Sequence, residues 1–222
     1  RQPHWPRQDL YATFRKGLAP DAETNFQAIP RKQRAMVRKG MEAGLEAEID
    51  PDVDRLYPLY AESVRNLGTP VFPLAYFRAL KAEFGRDCEV LTITHQGRAV
   101  SSVLSFYFRD EVLPYYGGGN PAARDLKAND FMYWALMRHA AEEGVGVFDF
   151  GRSKRDTGSF RFKKHWGFEP QPLHYEYHLV RDREVPQRNP LNPRYRLFIE
   201  TWKRLPLPVT RALGPALARH LG

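Results

Sequence analysis

From Leu45 onward, apolar positions recur first at period two and then at helical spacing, and the switches between the two periods outline a mixed α/β domain. Leu45–Asp50, reading LEAEID, alternates as a first strand does. Amphipathic stretches at about Val53–Leu67 and Leu74–Phe84 predict two helices, divided at Pro70 and Pro73. Three strands follow in quick succession, Cys88–His95, Ala99–Arg109 and Val112–Tyr116, with Gln96-Gly97 and Arg109-Asp110 as tight turns, so an antiparallel meander is expected. A helix over about Asn129–Glu143, a short apolar strand Val147–Phe150, a short helix from Thr157 and a last strand Leu173–Val180 complete the order β-αα-βββ-α-β-α-β.

The two ends lack this regularity. Residues 1–30 open with Pro3 and Pro6 and have no sustained period, which predicts an extended arm or the end of a preceding half. Arg31–Gly44 predicts a helix with a narrow apolar side at Ala35 and Met36 and a face of Arg31, Lys32, Arg34, Arg38 and Lys39, either solvated or set to meet a phosphate-bearing ligand. Beyond Arg181 the chain is rich in Arg and Pro. Residues 192–222 then interleave cations with Leu197, Phe198, Trp202, Leu213 and Leu217, in two pieces divided at Pro206 and Pro208. Those pieces either pack back on the domain or lie in a membrane interface. The organisation expected is an arm over 1–30, one domain over 31–181 and a basic amphipathic tail over 182–222.

At 222 residues the chain suits one domain with a sizeable core and is short for two. It begins at Arg1 and its first methionine is Met36, so a missing N-terminal half is expected. No apolar run approaches a membrane span and no secretory signal is visible, which gives a cytoplasmic expectation, peripheral at the inner membrane if the tail binds lipid. Thirty-four Lys and Arg against 26 Asp and Glu leave a formal charge of +8, favouring anionic partners such as RNA, pyrophosphate lipids or a membrane surface over neutral ones. The single cysteine, Cys88, excludes an intramolecular disulfide and a thiolate cluster for zinc. His174, Glu176 and His178 share one strand face, but an exposed polar face opposite Leu173, Tyr175, Tyr177 and Leu179 explains them without a metal. No Ser-His-Asp or Cys-His order is recognisable, so no covalent acyl-enzyme is expected.

The densest candidate chemistry lies in VFDFGRSKRDTGSFRFKKHWGFEP, from Val147. Gly151 breaks the strand, Thr157 is an N-cap, Phe162 and Trp166 share a helix face, and Gly167 stands at a left-handed C-terminal cap. This spacing predicts that Arg152 and Lys163 point towards one cleft mouth, where positive donors stabilise the oxyanion of an acyl carbonyl. Asp149, at the strand end, is set to orient Arg152, to accept a proton from the acceptor or to cap the loop. Gly151, Ser153, Phe162 and Lys164 are candidates to touch substrate. So are Tyr115 and Tyr116, of which strand alternation sends one ring to the cleft and the other to the opposite side. Gly117, Gly118, Gly119 and Asn120 fall between strand and helix, where a phosphate can meet backbone amides.

These residues carry a resemblance. DFGRS followed by TGSFRFKKHWGFEP, together with IPRKQRAMVRKG, YYGGGNPAARDLKANDFMYWALMRHA, PLHYEYHLV and NPRYRLFIETWKRLPLPV, resembles the C-terminal half of FemAB-like proteins over most of Phe26–Val209, especially the PEP-CTERM/exosortase-associated type. The resemblance implies a GNAT-like (acyl-CoA N-acyltransferase-like) mixed sheet flanked by helices, usually present twice in tandem, and the element order above is the GNAT order. It implies transfer of an aminoacyl or acyl group, by direct attack, onto an amine or hydroxyl of a cell-envelope or exopolysaccharide precursor. The donor would be aminoacyl-tRNA or acyl-CoA. Phe162-Lys163 matches the family's Phe-Lys pair, whose lysine lies at the donor ester. The acetyltransferase pyrophosphate loop is Gln or Arg, two residues, Gly, any residue, then Gly or Ala. It does not directly precede the 129–143 helix, where Asn129-Asp130 stand, and a first-turn carboxylate would repel a pyrophosphate, which turns the expectation away from CoA. The other readings are an acyl-CoA N-acyltransferase and a noncatalytic RNA- or membrane-binding adaptor.

Overall fold

The computed structural model describes residues 4–180, 185 and 193–219. The strands are β1 (Arg7–Gly17), β2 (Leu45–Asp50), β3 (Cys88–His95), β4 (Arg98–Phe108), β5 (Glu111–Gly119), β6 (Val147–Asp149), β7 (Ser153–Lys154) and β8 (Pro170–Glu176). The helices are α1 (Ala22–Gln27), α2 (Arg31–Glu42), α3 (Leu56–Leu67), α4 (Leu74–Phe84), α5 (Pro121–Asp125), α6 (Ala128–Glu142), α7 (Gly158–His165), α8 (Pro193–Arg204) and α9 (Leu207–Ala218).

The strands form one mixed sheet in the order β2-β3-β4-β5-β6-β1-β7, with β8 also on β1. The predicted meander is present, its turns made by Gln96 and Gly97 and by Arg109, all with positive φ. The pleat sends alternate residues to two cores. Val103 and Val112 face α6, with Phe131, Met132 and Leu136. Leu104 and Val90 face α3 and α4, with Leu56, Tyr57 and Phe77.

One expectation fails at the N-terminus. The stretch over 1–30 read as an arm holds β1 and α1, and β1 joins β6 to the far edge of the sheet. Tyr11 and Ala12 pair with Lys154 and Ser153 of β7 and also with Leu173 and Pro172 of β8, so both edges of the strand are used. Ala12 and Phe14 are fully buried, because they fall on the side of the sheet that α6 covers. At the other end the last strand runs over 170–176, earlier than predicted. Residue 181, and residues 182–184, 186–192 and 220–222 of the predicted tail, lie outside the described residues; the rest of the tail includes α8 and α9, parted at Pro206 as expected, and both helices contact α3.

Two features of the sheet set up a site. β5 and β6 pair in parallel only at Glu111–Val147 and Val112–Phe148, and then part. The β4–β5 register shifts at Leu104/Ser105, where Tyr116 pairs with Leu104 and Pro114 with Ser105, leaving Tyr115 as the extra residue of a β-bulge.

Candidate active site

Where β5 and β6 part, a cleft of about 980 Å³ opens between the end of β5, α5, the first turns of α6 and the start of α7. Gly117–Asn120, Arg124, Asn129, Tyr133, Ser159 and Phe162 are among its walls. The chain after β6 builds one end of it. Phe150 is buried, Gly151 turns with φ +70°, and β7 resumes pairing with β1. Thr157 then caps α7, its side chain accepting from the amide of Phe160. Phe162 and Trp166 pack on Tyr133, with ring centroids 5.7 and 6.3 Å away, and Gly167 closes the helix with φ +77°.

Lys163 projects from α7 onto the turn. Its Nζ donates to the carbonyls of Gly151 at 2.9 Å and Arg152 at 3.4 Å, and lies over the rings of Phe14 and Phe150 at 5.6 and 5.8 Å. Burial among these rings lowers its pKa to about 8, opposed by the nearby charge of Asp149. Near neutral pH it is therefore a cation, with one of its three donors free of these two carbonyls.

The Arg152 guanidinium does not join it. Lys163 meets the Arg152 carbonyl, whereas the Arg152 side chain lies over the Tyr11 ring at 4.7 Å and donates to the Tyr175 hydroxyl at 2.9 Å. Tyr11 alternates with the buried Ala12, so it stands on the other side of the sheet from Phe14 and Lys163. The expected convergence of the two charges is thus corrected: the glycine turn aims backbone carbonyls at Lys163 and sends the arginine across the sheet. Arg152 is exposed, has its pKa raised chiefly by the Tyr175 hydrogen bond, and makes no ion pair with another described residue. Its electrostatic neighbours include Tyr11 and Tyr115.

The other predicted residues separate in the same way. Asp149 Oδ1 accepts from the Gly151 amide at 2.8 Å and from Thr13 at 3.1 Å, and Oδ2 lies 3.8 Å from Arg15; of its three readings, the geometry is that of the loop cap. Ser153 is buried in β7 and its hydroxyl reaches neither the cleft nor a described partner, because pairing with Ala12 turns it inward. Lys164 is exposed on the helix, and Phe162 is among the cleft's walls. Tyr115 and Tyr116 do not face opposite sides. The bulge cancels the alternation and the two rings meet edge to face at 4.7 Å. Tyr116 is hydrogen-bonded to Tyr76 at 2.9 Å within the α3–α4 core, whereas Tyr115 is 59% exposed.

The glycine run is strand, not phosphate loop. A Cβ on Gly118 would stand 2.5 Å from the Leu59 carbonyl and 2.6 Å from the Tyr60 Cα, and the Gly119 amide already donates to Ser63 Oγ at 2.9 Å. Asp130 is not a cap. It accepts from Trp166 Nε1 at 3.1 Å and from Gln33 at 3.4 Å, tying α6 to the end of α7, and burial raises its pKa. Two features of α6 escaped the sequence reading, one in the cleft wall and one at the start of the helix. Tyr133 is masked among the large apolar side chains Phe131, Met132 and Trp134 of α6, and desolvation pushes its pKa up to about 12. Lys127 takes a left-handed conformation, φ +58°, at the start of α6. Arg124, two residues, Lys127, one residue and Asn129 keep the spacing of the acetyltransferase loop, but only Arg124 keeps its residue type, with Lys127 and Asn129 where glycine and glycine or alanine are usual.

Comparison with known proteins agrees with this architecture. The chain is 30% identical over 97 residues to the lipid II:glycine glycyltransferase of Staphylococcus aureus, a match covering 40% of this chain and 23% of that protein. Among solved structures it resembles FemX, with a TM-score of 0.64, 15% identity and coverage of 80% of this chain and 63% of that one. It also resembles L-PGS from Bacillus licheniformis, with a TM-score of 0.57, 12% identity and coverage of 96% and 66%. The chain thus spans less than a quarter of the length of that curated relative and under two thirds of either solved one. Residues 28–164, more than half of the 222, match the acetyltransferase (GNAT) domain family, and with its parted β5 and β6 the chain belongs to that family.

Proposed function

We propose that this chain is the acyl-transferring half of a FemAB-like enzyme that moves an aminoacyl group onto an amine or hydroxyl of a cell-envelope precursor. The observation that carries the reading is Lys163, a half-buried cation held by two carbonyls and borne by α7, the helix whose Ser159 and Phe162 line the cleft although Lys163 is not itself among its walls. The acceptor nucleophile attacks the acyl carbonyl of the donor, and negative charge grows on the carbonyl oxygen. The Lys163 ammonium stabilises that charge, and the donor's hydroxyl leaves with the proton that the nucleophile gives up. Arg152, across the sheet and with no carboxylate partner among the described residues, would hold an anionic part of the acceptor. The glycyltransferase relative supports a cell-wall type of precursor. The resemblance to PEP-CTERM-associated proteins favours an exopolysaccharide precursor within that class, handled at the cytoplasmic side of the inner membrane.

A second donor, acyl-CoA, is favoured by one observation. The left-handed Lys127 leaves the first turn of α6 open to the cleft at Asn129, while Asp130 turns away to Trp166. Full-length protein assayed with aminoacyl-tRNA and with acyl-CoA separates the two, by loss of the aminoacyl ester or by release of thiol. With the productive donor, Lys163→Ala is expected to lower turnover by about 10² or more, at unchanged thermal stability or slightly above it. Unchanged turnover would remove Lys163 from the reaction, and consumption of neither donor would leave the noncatalytic adaptor.

A further inference from the structure

The helix pair α8–α9 is attached to the domain by one side. Trp202 is buried and its Nε1 donates to the Thr69 carbonyl at 3.2 Å, and Gly68 sits against Ile199 so closely that a Cβ would come within 2.4 Å of it. On α9 the inward stripe is Thr210, Gly214 and Ala218, spaced by four and buried, with Gly214 against Val71.

The outward side has no polar complement. α9 carries a single charged residue, Arg211, and its guanidinium lies 5.0 Å over the Tyr57 ring, towards the domain. Val209, Ala212, Leu213, Ala216 and Leu217 are all exposed, Leu213 at 51%. On α8 Leu197 is 79% exposed, and at the end of α3, which contacts both helices, Leu67 is 73% exposed. A helix apolar on both sides is ordinarily buried on both, and a contiguous apolar patch on a soluble domain marks a surface that something covers.

Charge selects the occupant. Arg194, Arg196, Lys203 and Arg204 in α8, Arg211 in α9 and Arg219 just past its end stand against one acid, Glu200, which is paired to Lys203 at 3.0 Å. Twelve residues of α9 give about 18 Å of helix, far less than the roughly 30 Å of a bilayer core, and no described helix is long and apolar enough to cross one. An apolar helix face too short to span, on a helix pair with this excess of cations, fits the headgroup boundary of an anionic bilayer.

We propose that α8 and α9 form a docking surface for an anionic phospholipid membrane, with Val209, Leu213 and Leu217 entering the interface and Arg196 and Arg204 meeting lipid phosphates. The surface is part of the folded domain, so it would hold the β5–β6 cleft at a fixed attitude to the bilayer. This goes beyond the transfer reading and is tested without turnover. The full chain is sedimented with vesicles of phosphatidylcholine alone and of phosphatidylcholine mixed with phosphatidylglycerol, beside the double variant Leu213→Glu/Leu217→Glu. Both leucines are exposed, so far-UV circular dichroism and the melting temperature should not change. The wild type is expected to bind the mixed vesicles, to release as salt rises, and to lose affinity about tenfold or more in the variant. Failure to bind mixed vesicles, or equal binding by wild type and variant, would overturn the proposal. So would a wild-type dimer that the variant dissolves without any vesicle binding, since a second copy would then be what covers the face.

Discussion

Lys163 shows how a single side chain is tuned by what surrounds it. The rings of Phe14 and Phe150 remove water from its ammonium and lower its pKa to about 8, while two carbonyls keep it from being left unsatisfied. If its cation stabilises the oxyanion, turnover falls as pH rises through about 8, where the folded enzyme loses that proton. Lys163→Arg keeps its charge across this range and should remove the alkaline limb even if its absolute rate is lower. A rate that climbs through the same pH in the wild type would instead make Lys163 a proton acceptor. The linkage to stability has a definite sign. Between about 8 and the ordinary lysine value of 10.5 the unfolded chain holds a proton that the folded chain has lost, so stability from this group rises with pH over that window. The sequence places Lys163 at the right offset, since helix spacing sets it apart from Phe162 and Trp166. It does not place the Arg152 head group, because only the positive φ of Gly151, the Tyr11 ring beneath it and the Tyr175 hydroxyl that accepts from it, all settled by the fold, decide which side of the sheet the arginine enters.

At the scale of elements, the run Gly117–Gly119 illustrates how a phosphate-loop reading and a packing reading diverge. Gly118 lets α3 rest backbone to backbone on β5, so Gly118→Ala forces main-chain atoms apart and should destabilise by about 1–3 kcal/mol or more. Gly117 has only ordinary contacts, its nearest neighbour being Val103 Cγ2 at 3.6 Å, and Gly117→Ala should stay within about 0.5 kcal/mol. Urea unfolding of the two variants checks this; equal, small effects would return the run to a ligand-binding role. Strand and helix periods made most elements legible, from LEAEID in β2 to the Thr157 cap and Gly167 stop of α7. The bulge at Tyr115 was not, because period two carries no mark of an extra residue, although Pro114, which has no amide hydrogen to give a ladder, is the residue before it. The two tyrosines therefore share a side that simple alternation denies them.

For the whole molecule, the decisive element is the one whose sequence is least regular. β1 begins just after Pro6 and alternates only over Leu10–Arg15, with Ala12 and Phe14 turned to the α6 core and Tyr11 and Thr13 to the other side. Such a short alternation next to prolines reads as an arm when its partners, 130 or more residues away, are unknown. Its role is topological. β6 pairs with Arg15–Gly17, β7 with Tyr11 and Ala12, and β8 with Arg7–Phe14, so the motif that carries Arg152 and Lys163 is held on both flanks by this strand. Phe14 also forms part of the Lys163 environment and packs edge to face on Phe160 of α7 at 5.2 Å. Phe14→Ala should thus cost about 3–5 kcal/mol. The loss should be accompanied by a rise in the Lys163 pKa towards the usual lysine value, as water reaches its ammonium. Deleting residues 1–17 should go further, exposing an edge of β6 and of β8 at once and abolishing cooperative unfolding of the domain. A chain lacking those residues that melts cooperatively at the wild-type temperature would show that β1 only decorates the sheet. Loss of cooperativity, with Phe14→Ala still folded but weaker and its lysine titrating higher, would show that fold and site are fastened by the same strand.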